Sequence, residues 1–336
     1  MKTSIQYACG LALLLFLGWG CQHDTDTFDG PFLVDRFGEF AVVTNLEVSQ
    51  PTVDFTAGET VFFTAAFNKN VDWIVEITGT ESGAVRRIEG FDREVAAGNA
   101  TWTGGTTDLP FFSAENCSVK LLVPEEPDFV DSVMVEVLTP KVYEGSLFTN
   151  FEEDLGVNAE IGNFEFEFTN NTTRSNTAVP PAEGEFVFYL EGTDDVVPNF
   201  FVGLVAIESD VAGATYAPLP TKVPEELYFN CFIHGDGGPH TIAIVEFVVD
   251  SNDSGNYEDG PDALFRVPDD LRVTWEGWNH INYPMSETGI TEEDLEKLVA
   301  IRLVLISDRN AQPDPPLTVD FGIDFITFTQ GAPLQL

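Results

Sequence analysis

Thr241-Ile-Ala-Ile-Val-Glu-Phe-Val-Val249, followed at once by Asp250-Ser-Asn-Asp-Ser-Gly-Asn-Tyr-Glu-Asp-Gly-Pro-Asp262, decides the fold class. The first nine residues are β-branched and apolar and too few for a helix of useful length, so they predict a strand. The next thirteen are acidic, Asn- and Gly-rich, and predict a turn between strands. The same grammar of short apolar run and breaker recurs outward in both directions. Phe164, Phe166 and Phe168 alternate with Glu165 and Glu167, a period of two with one core face and one wet face.

Upstream, runs at Phe40–Val48, Glu59–Phe67, Val71–Gly79, Val85–Glu89, Asn99–Thr103, Asn116–Val123 and Asp131–Thr139 are broken by Ala57-Gly58, Asn68-Lys69-Asn70, Ser82-Gly83, Gly104-Gly105 and Pro124. Seven strands in about a hundred residues predict an immunoglobulin-like sandwich over 38–140, with Trp73 buried on its third strand. Trp102 is expected to pack in the same core. Trp73-Ile-Val-Glu-Ile-Thr-Gly79 resembles the third strand of bacterial Ig-like spacer modules.

Downstream, strands are expected at Asn163–Thr169, Glu185–Glu191, Phe200–Glu208, Glu226–His234, Thr241–Val249, Ala263–Val267, Leu271–Tyr283, Ala300–Ser307 and Thr318–Thr329. One helix is expected over Thr291–Leu298, with Thr291 as cap and Asp294 at the capping-box position. The whole chain therefore reads as all-β: an Ig-like sandwich followed, over 145–336, by a jelly roll.

Acids outnumber bases 56 to 15, for a formal net charge of −41. Such a surface repels nucleic acid and anionic membranes and favours divalent cations. Residues 1–20 carry Lys2 and the apolar run Leu11–Leu17, of signal-peptide length. Gly18-Trp19-Gly20 meets Cys21 in a pattern that resembles a bacterial lipoprotein signal, although Gly18 stands where that family prefers Leu or Val. The resemblance implies lipidation of Cys21, an acidic tether over 21–37, and an outer-membrane protein exposed at the cell surface and touching the membrane only through its lipid. An ordinary secretory signal cut near Gly20 is the alternative. Cys117 and Cys231 then remain, expected as buried free thiols.

The acidic loop offers oxygens in the alternation of a calcium loop: Asp250, Asn252, Ser254, then Gly255, the backbone of Asn256, and Glu258. Pro261 stands where a bidentate acid belongs, and Asp262 falls one residue late. A hairpin turn without metal is the alternative reading. For a sugar, the expected ligand-binding residues are Tyr257, Trp275, Tyr228 and Asn230, with Tyr216 a further candidate: rings for a sugar face and polar groups for its hydroxyls. Trp278 is expected in the core. His23, His234, His240 and His280 are scattered, and no Gly-x-Ser-x-Gly or His-Glu-x-x-His occurs, so no enzyme is expected.

The order of the downstream motifs carries a family resemblance. Phe151-Glu-Glu153 opens it, and Asp250-x-Asn-x-Ser-Gly255 follows a long strand. Then come Gly277-Trp-Asn-His-Ile281, Tyr283-Pro-Met-Ser286, a short helix into Leu298-Val-Ala-Ile-Arg-Leu-Val-Leu305, and Phe321-Gly-Ile-Asp-Phe-Ile-Thr-Phe328. This order is similar to the galactose-binding-like β-sandwich of carbohydrate-binding modules and surface glycan-binding lipoproteins. It implies non-catalytic capture of a polysaccharide or oligosaccharide, the alternatives being a surface lipoprotein that contacts another protein or is structural, and, behind it, a glycoside hydrolase. It also implies a structural calcium between Glu152 or Glu153 and Asp324, the alternative being carboxylates bonded to backbone.

Overall fold

The computed structural model describes residues 38–152, 170–193, 201–208, 215–258, 260–308 and 317–336. The signal, Cys21, the tether, Glu153 and the expected strand Asn163–Thr169 lie outside these. Among the described residues the sheets are antiparallel apart from one parallel pairing, and the chain is all-β as its alternation predicts.

Seven strands form the first half: β1 (Val42–Val48), β2 (Thr52–Asp54), β3 (Val61–Gly79), β4 (Val85–Val95), β5 (Thr101–Trp102), β6 (Asn116–Leu122) and β7 (Val130–Thr139). They run in the order β1-β3-β6-β7-β2, with β4 and β5 also on β3. The expected break at Asn68-Lys69-Asn70 does not end a strand, because the period-two phase survives it: Phe63, Ala65 and Phe67 before it and Val71, Trp73 and Val75 after it all face the core. Asn68 stays in the strand by bonding backbone across the edge, accepting from the Ala41 N–H at 2.9 Å and donating to the Glu39 carbonyl at 2.7 Å. Trp73 is buried against Gly90, its register partner on β4. A Cβ on that glycine would sit 2.3 Å from the indole, so only glycine fits there. Trp102 packs edge-on between Phe55 and Phe112 and donates its indole N–H to the Gly105 carbonyl at 2.9 Å.

The second half is a two-sheet sandwich. One sheet runs β16 (Glu276–Pro284), β12 (Leu227–Asp236), β18 (Thr318–Gln330), β10 (Val187–Thr193), β9 (Asn170–Ser175), with β8 (Ser146–Thr149) on β18. The other runs β11 (Phe201–Glu208), β17 (Leu298–Ser307), β13 (Thr241–Val249), β14 (Ala263–Arg266), with β15 (Leu271–Arg272) on β13. Phe229, Cys231, Ile233, Phe321 and Phe328 of the first sheet meet Val205, Val245, Phe247 and Leu303 of the second. The Phe229 and Phe247 rings cross the layer edge-on at 5.1 Å. The run Leu271–Tyr283, expected as one strand, is two. Its first residues pair with β13 and its later ones with β12, so the chain changes sheets at Val273–Trp275. The helix is a single turn, α1 (Glu292–Leu295), closed by the expected Thr291/Asp294 capping box. It stops early because β17 begins at Leu298.

The halves meet through a cluster of rings. Phe111 stacks on Tyr143 at 3.8 Å and touches Phe232 and Phe325 edge-on at 5.1 and 5.5 Å, and Leu334 is buried in the same cluster. The Phe111 N–H donates to the Ala182 carbonyl at 2.8 Å. Cys117 and Cys231 are buried free thiols, one in each half, as expected. Burial pushes the Cys117 thiol up to about 12, which makes it inert at neutral pH.

Candidate functional site

Period two gives each strand of the five-stranded sheet a core face and an outer face, and the outer face carries the chemistry. Register aligns residues there in rows. Phe201, Ile306 and Ile242 make one row, and Leu204, Val304 and Ile244 the next. Ala206, Arg302, Glu246 and Arg266 follow, and then Glu208, Ala300, Val248 and Leu264. Arg272 of β15 ends the first row beside Ile242, the remaining residues of the first two rows are apolar, with Ile242, Ile244, Val304 and Ile306 buried, and the third row is charged. Arg302 Nε donates to Glu246 Oε2 at 2.6 Å, with both side chains only 13% exposed. Burial disfavours the guanidinium charge, but the bond to Glu246 and the contact with Tyr257 outweigh it and raise its pKa.

Two tyrosines lie over the last row. Tyr257 and Tyr216, both half-buried, pack against Ala206, Val248, Val299 and Ala300. The backbone N–H of Tyr257 donates to Glu208 Oε1 at 3.0 Å, and the Tyr216 hydroxyl donates to Asp250 Oδ2 at 3.0 Å. Glu208 at the end of β11 thus anchors the backbone of the loop at Tyr257. Rings, a planar cationic fork and carboxylates converge at this end of the sheet, a set that can hold the faces and hydroxyls of a polyol.

The loop is held by its own hydrogen bonds. Asp250 is fully buried and accepts the N–H groups of Asn252, Ser254 and Gly255 at 3.1, 3.1 and 2.7 Å. Burial works against its charge, yet these amides and Tyr216 hold the carboxyl below its usual value. Asp262 accepts the N–H of Ser251 and of Glu258, and Asn252 Nδ2 donates to Glu258 Oε2 at 2.6 Å. Ser254 Oγ donates to the Asn256 carbonyl, and Lys297 Nζ pairs with Asp253 at 2.7 Å. The lysine supplies a positive charge where the loop is most acidic.

Glu152 and Asp324 come together, on a shared strap. Asp324, fully buried on β18, accepts the N–H of Ala182 and of Glu183 at 2.9 and 3.0 Å. Glu152 Oε1 accepts those of Glu185 and Phe186, both at 2.8 Å. Burial raises the Asp324 carboxyl well above its usual value, the amides offsetting part of the effect. These amides bond both carboxylates to backbone, the alternative reading of the pair, and Glu153 lies outside the described residues. Among the described residues no three acidic, His or Cys side chains are placed to share a metal.

The remaining expected ligand residues do not join Tyr257. Asn230 is fully buried on β12. Its amide donates to Thr329 Oγ1 and the Tyr228 carbonyl, and its oxygen accepts from the Leu334 N–H. It fixes the chain end to the sheet and faces no solvent. Tyr228 is half-buried on the opposite sheet, and Trp275 packs on the main core with its indole N–H given to the Ile233 carbonyl at 3.1 Å. Trp278, expected in the core, is half-buried at the junction and donates to the Pro180 carbonyl. Arg302 and Glu246 were missed by sequence reasoning. Their signal is present: each is the one charge in an otherwise apolar strand, and the charges are opposite.

No family model and no curated protein matches the sequence. Among solved structures, one similar to this chain is described as "Structural basis for the promiscuous specificity of the carbohydrate-binding modules from the beta-sandwich super family". It has 11% identity and a TM-score of 0.37, covering 86% of this chain and 98% of that one. A second is SGBP-B from a complex xyloglucan utilization locus in Bacteroides uniformis, with 15% identity and a TM-score of 0.37, covering 87% of this chain and 73% of that one. A third is the family 11 carbohydrate-binding module from Clostridium thermocellum in complex with a mixed-linked tetrasaccharide, with 14% identity and a TM-score of 0.33, covering 56% of this chain and 95% of that one. The chain is similar to β-sandwiches of this type at low identity.

Proposed function

We propose that the protein captures a neutral polysaccharide or oligosaccharide without transforming it, at the Tyr257 end of the outer face of the five-stranded sheet. The observation that carries this is the Arg302–Glu246 pair, two opposite charges kept in strands β17 and β13 that are otherwise apolar, beneath Tyr257. A hydrophobic pair of similar volume would serve stability there as well or better, so the charges have another use. Arg302 and Glu246 would meet hydroxyls, and Tyr257 and Tyr216 the apolar face of a ring. Affinity electrophoresis through a panel of neutral polysaccharides should retard the wild type and release Tyr257→Ala. If no polysaccharide retards the wild type, the reading fails.

The rest of the proposal concerns address and ions. The Leu11–Leu17 run and Cys21 support a lipid-anchored protein of the bacterial outer membrane with the first half as an Ig-like spacer. Mass spectrometry of the membrane form would find an acylated Cys21 as its first residue, and a free or absent Cys21 would refute it. Structural calcium belongs to the acidic loop in this proposal, in competition with Lys297. A second reading, a surface that binds another protein, has its own observation. Val130, Met134 and Leu138 stand on the outer side of β7 at 55%, 52% and 52% exposure.

A further inference from the structure

The two halves enclose a cleft of about 880 Å³, within the range that holds small ligands. Pro110–Ala114 and Thr139–Tyr143 wall it on one side, and Asn150, the strap Pro180–Glu185 and Phe325 on the other. Its apolar part is the stacked Phe111–Tyr143 pair with Phe325 edge-on. Its polar part is Glu183, whose Oε2 accepts from Asn150 Nδ2 at 3.0 Å. Glu183 is set rigidly, because the strap on either side of it is pinned by amide pairs to Asp324 and Glu152 and by the Ala182 carbonyl to Phe111. Phe325 enters the wall through a left-handed backbone, φ 46°, which a non-glycine residue adopts at a cost.

The charges select the ligand. The ionisable wall groups are Glu81, Glu183, Glu185 and Lys141, and Lys141 lies 4.4 Å over the Tyr143 ring, so an anion meets net repulsion. A carboxylate beside an amide, facing aromatic rings, matches hydroxyls on one edge of a ring and C–H groups on its face. We propose that this cleft is a second ligand site, separate from the Tyr257 face, taking a sugar-sized neutral polyol with Glu183 and Asn150 as its polar end. The site does not depend on the Tyr257 reading.

Titration calorimetry of the signal-free chain with neutral tri- and tetrasaccharides tests it, using two variants. Glu183→Gln removes the charge at constant shape, and Ala114→Trp fills the exposed wall without touching the core. Each should weaken one class of binding about tenfold or more and leave the class removed by Tyr257→Ala intact, with melting temperatures no lower than that of the wild type. Binding unchanged in both variants, with all of it lost in Tyr257→Ala, would overturn the cleft and keep the sheet face. The reverse pattern would overturn the sheet face and keep the cleft. A wild type that binds no member of the panel would overturn both.

Discussion

Arg302→Met leaves the Glu246 carboxylate without its partner at 13% exposure, in a row of the sheet flanked by apolar residues. Breaking such a pair from one side costs about 3–5 kcal/mol, because a charge stays buried and uncompensated. The residual exposure and the neighbouring Arg266 place this case at about 3 kcal/mol, the lower end of that range. At urea slopes of about 1–3 kcal/mol per molar, the midpoint should fall by about 1–3 M. The double variant Arg302→Met with Glu246→Leu removes both charges and should return to within about 1 kcal/mol of wild type. Urea unfolding of the wild type, both single variants and the double variant measures the coupling. The same double variant, folded and stable, should no longer be retarded by any polysaccharide that retards wild type through Tyr257. A single variant costing no more than an exposed pair, or a double variant as unstable as the sum of its parts, would refute the reasoning.

Glu183 supplies a pH test. Burial raises its carboxyl from 4.5 to about 6, Asn150 partly offsetting and the Glu152 charge adding. The folded state therefore holds the proton more tightly, and stability falls as pH rises from about 4.5 to about 6, by at most about 2 kcal/mol. Glu183→Gln should flatten that part of the profile, and an unchanged slope would contradict the assignment. Phe111→Ala, at the centre of the junction rings, should destabilise by about 3 kcal/mol and split a single calorimetric transition into two; one unshifted transition would mean that the rings do not couple the halves. For the acidic loop, calcium in competition with Lys297 predicts that millimolar calcium raises the melting temperature by several degrees over chelator, and an unchanged melting temperature would refute the metal.

Much of the architecture was legible because it rests on periodicity. Thr241–Val249, Ala300–Ser307 and Thr318–Thr329 were readable as strands, since burying one or both faces demands the apolar pattern they show. The site was less legible, because it depends on which strands lie side by side. Asn230 looked available to a ligand, yet it sits under the chain end and its hydrogen bonds go to Thr329 and Leu334, a hundred residues away. Arg302 and Glu246 are 56 residues apart, and only the β13–β17 register makes them a pair. Glu152 or Glu153 was paired with Asp324 only through the family resemblance, and sequence does not say which backbone amides will bond Glu152 and Asp324.

The length of β3 has a consequence for how the first half comes apart. This one strand pairs with β1, β4, β5 and β6, so its departure strips a partner from four strands at once and leaves only the β6–β7 and β2–β7 pairings. Amide protons along Val61–Gly79 should then exchange together, through a single opening close to global unfolding, and not strand by strand. A module built this way hangs its load on one strand, and four neighbours lose a partner together when that strand gives way.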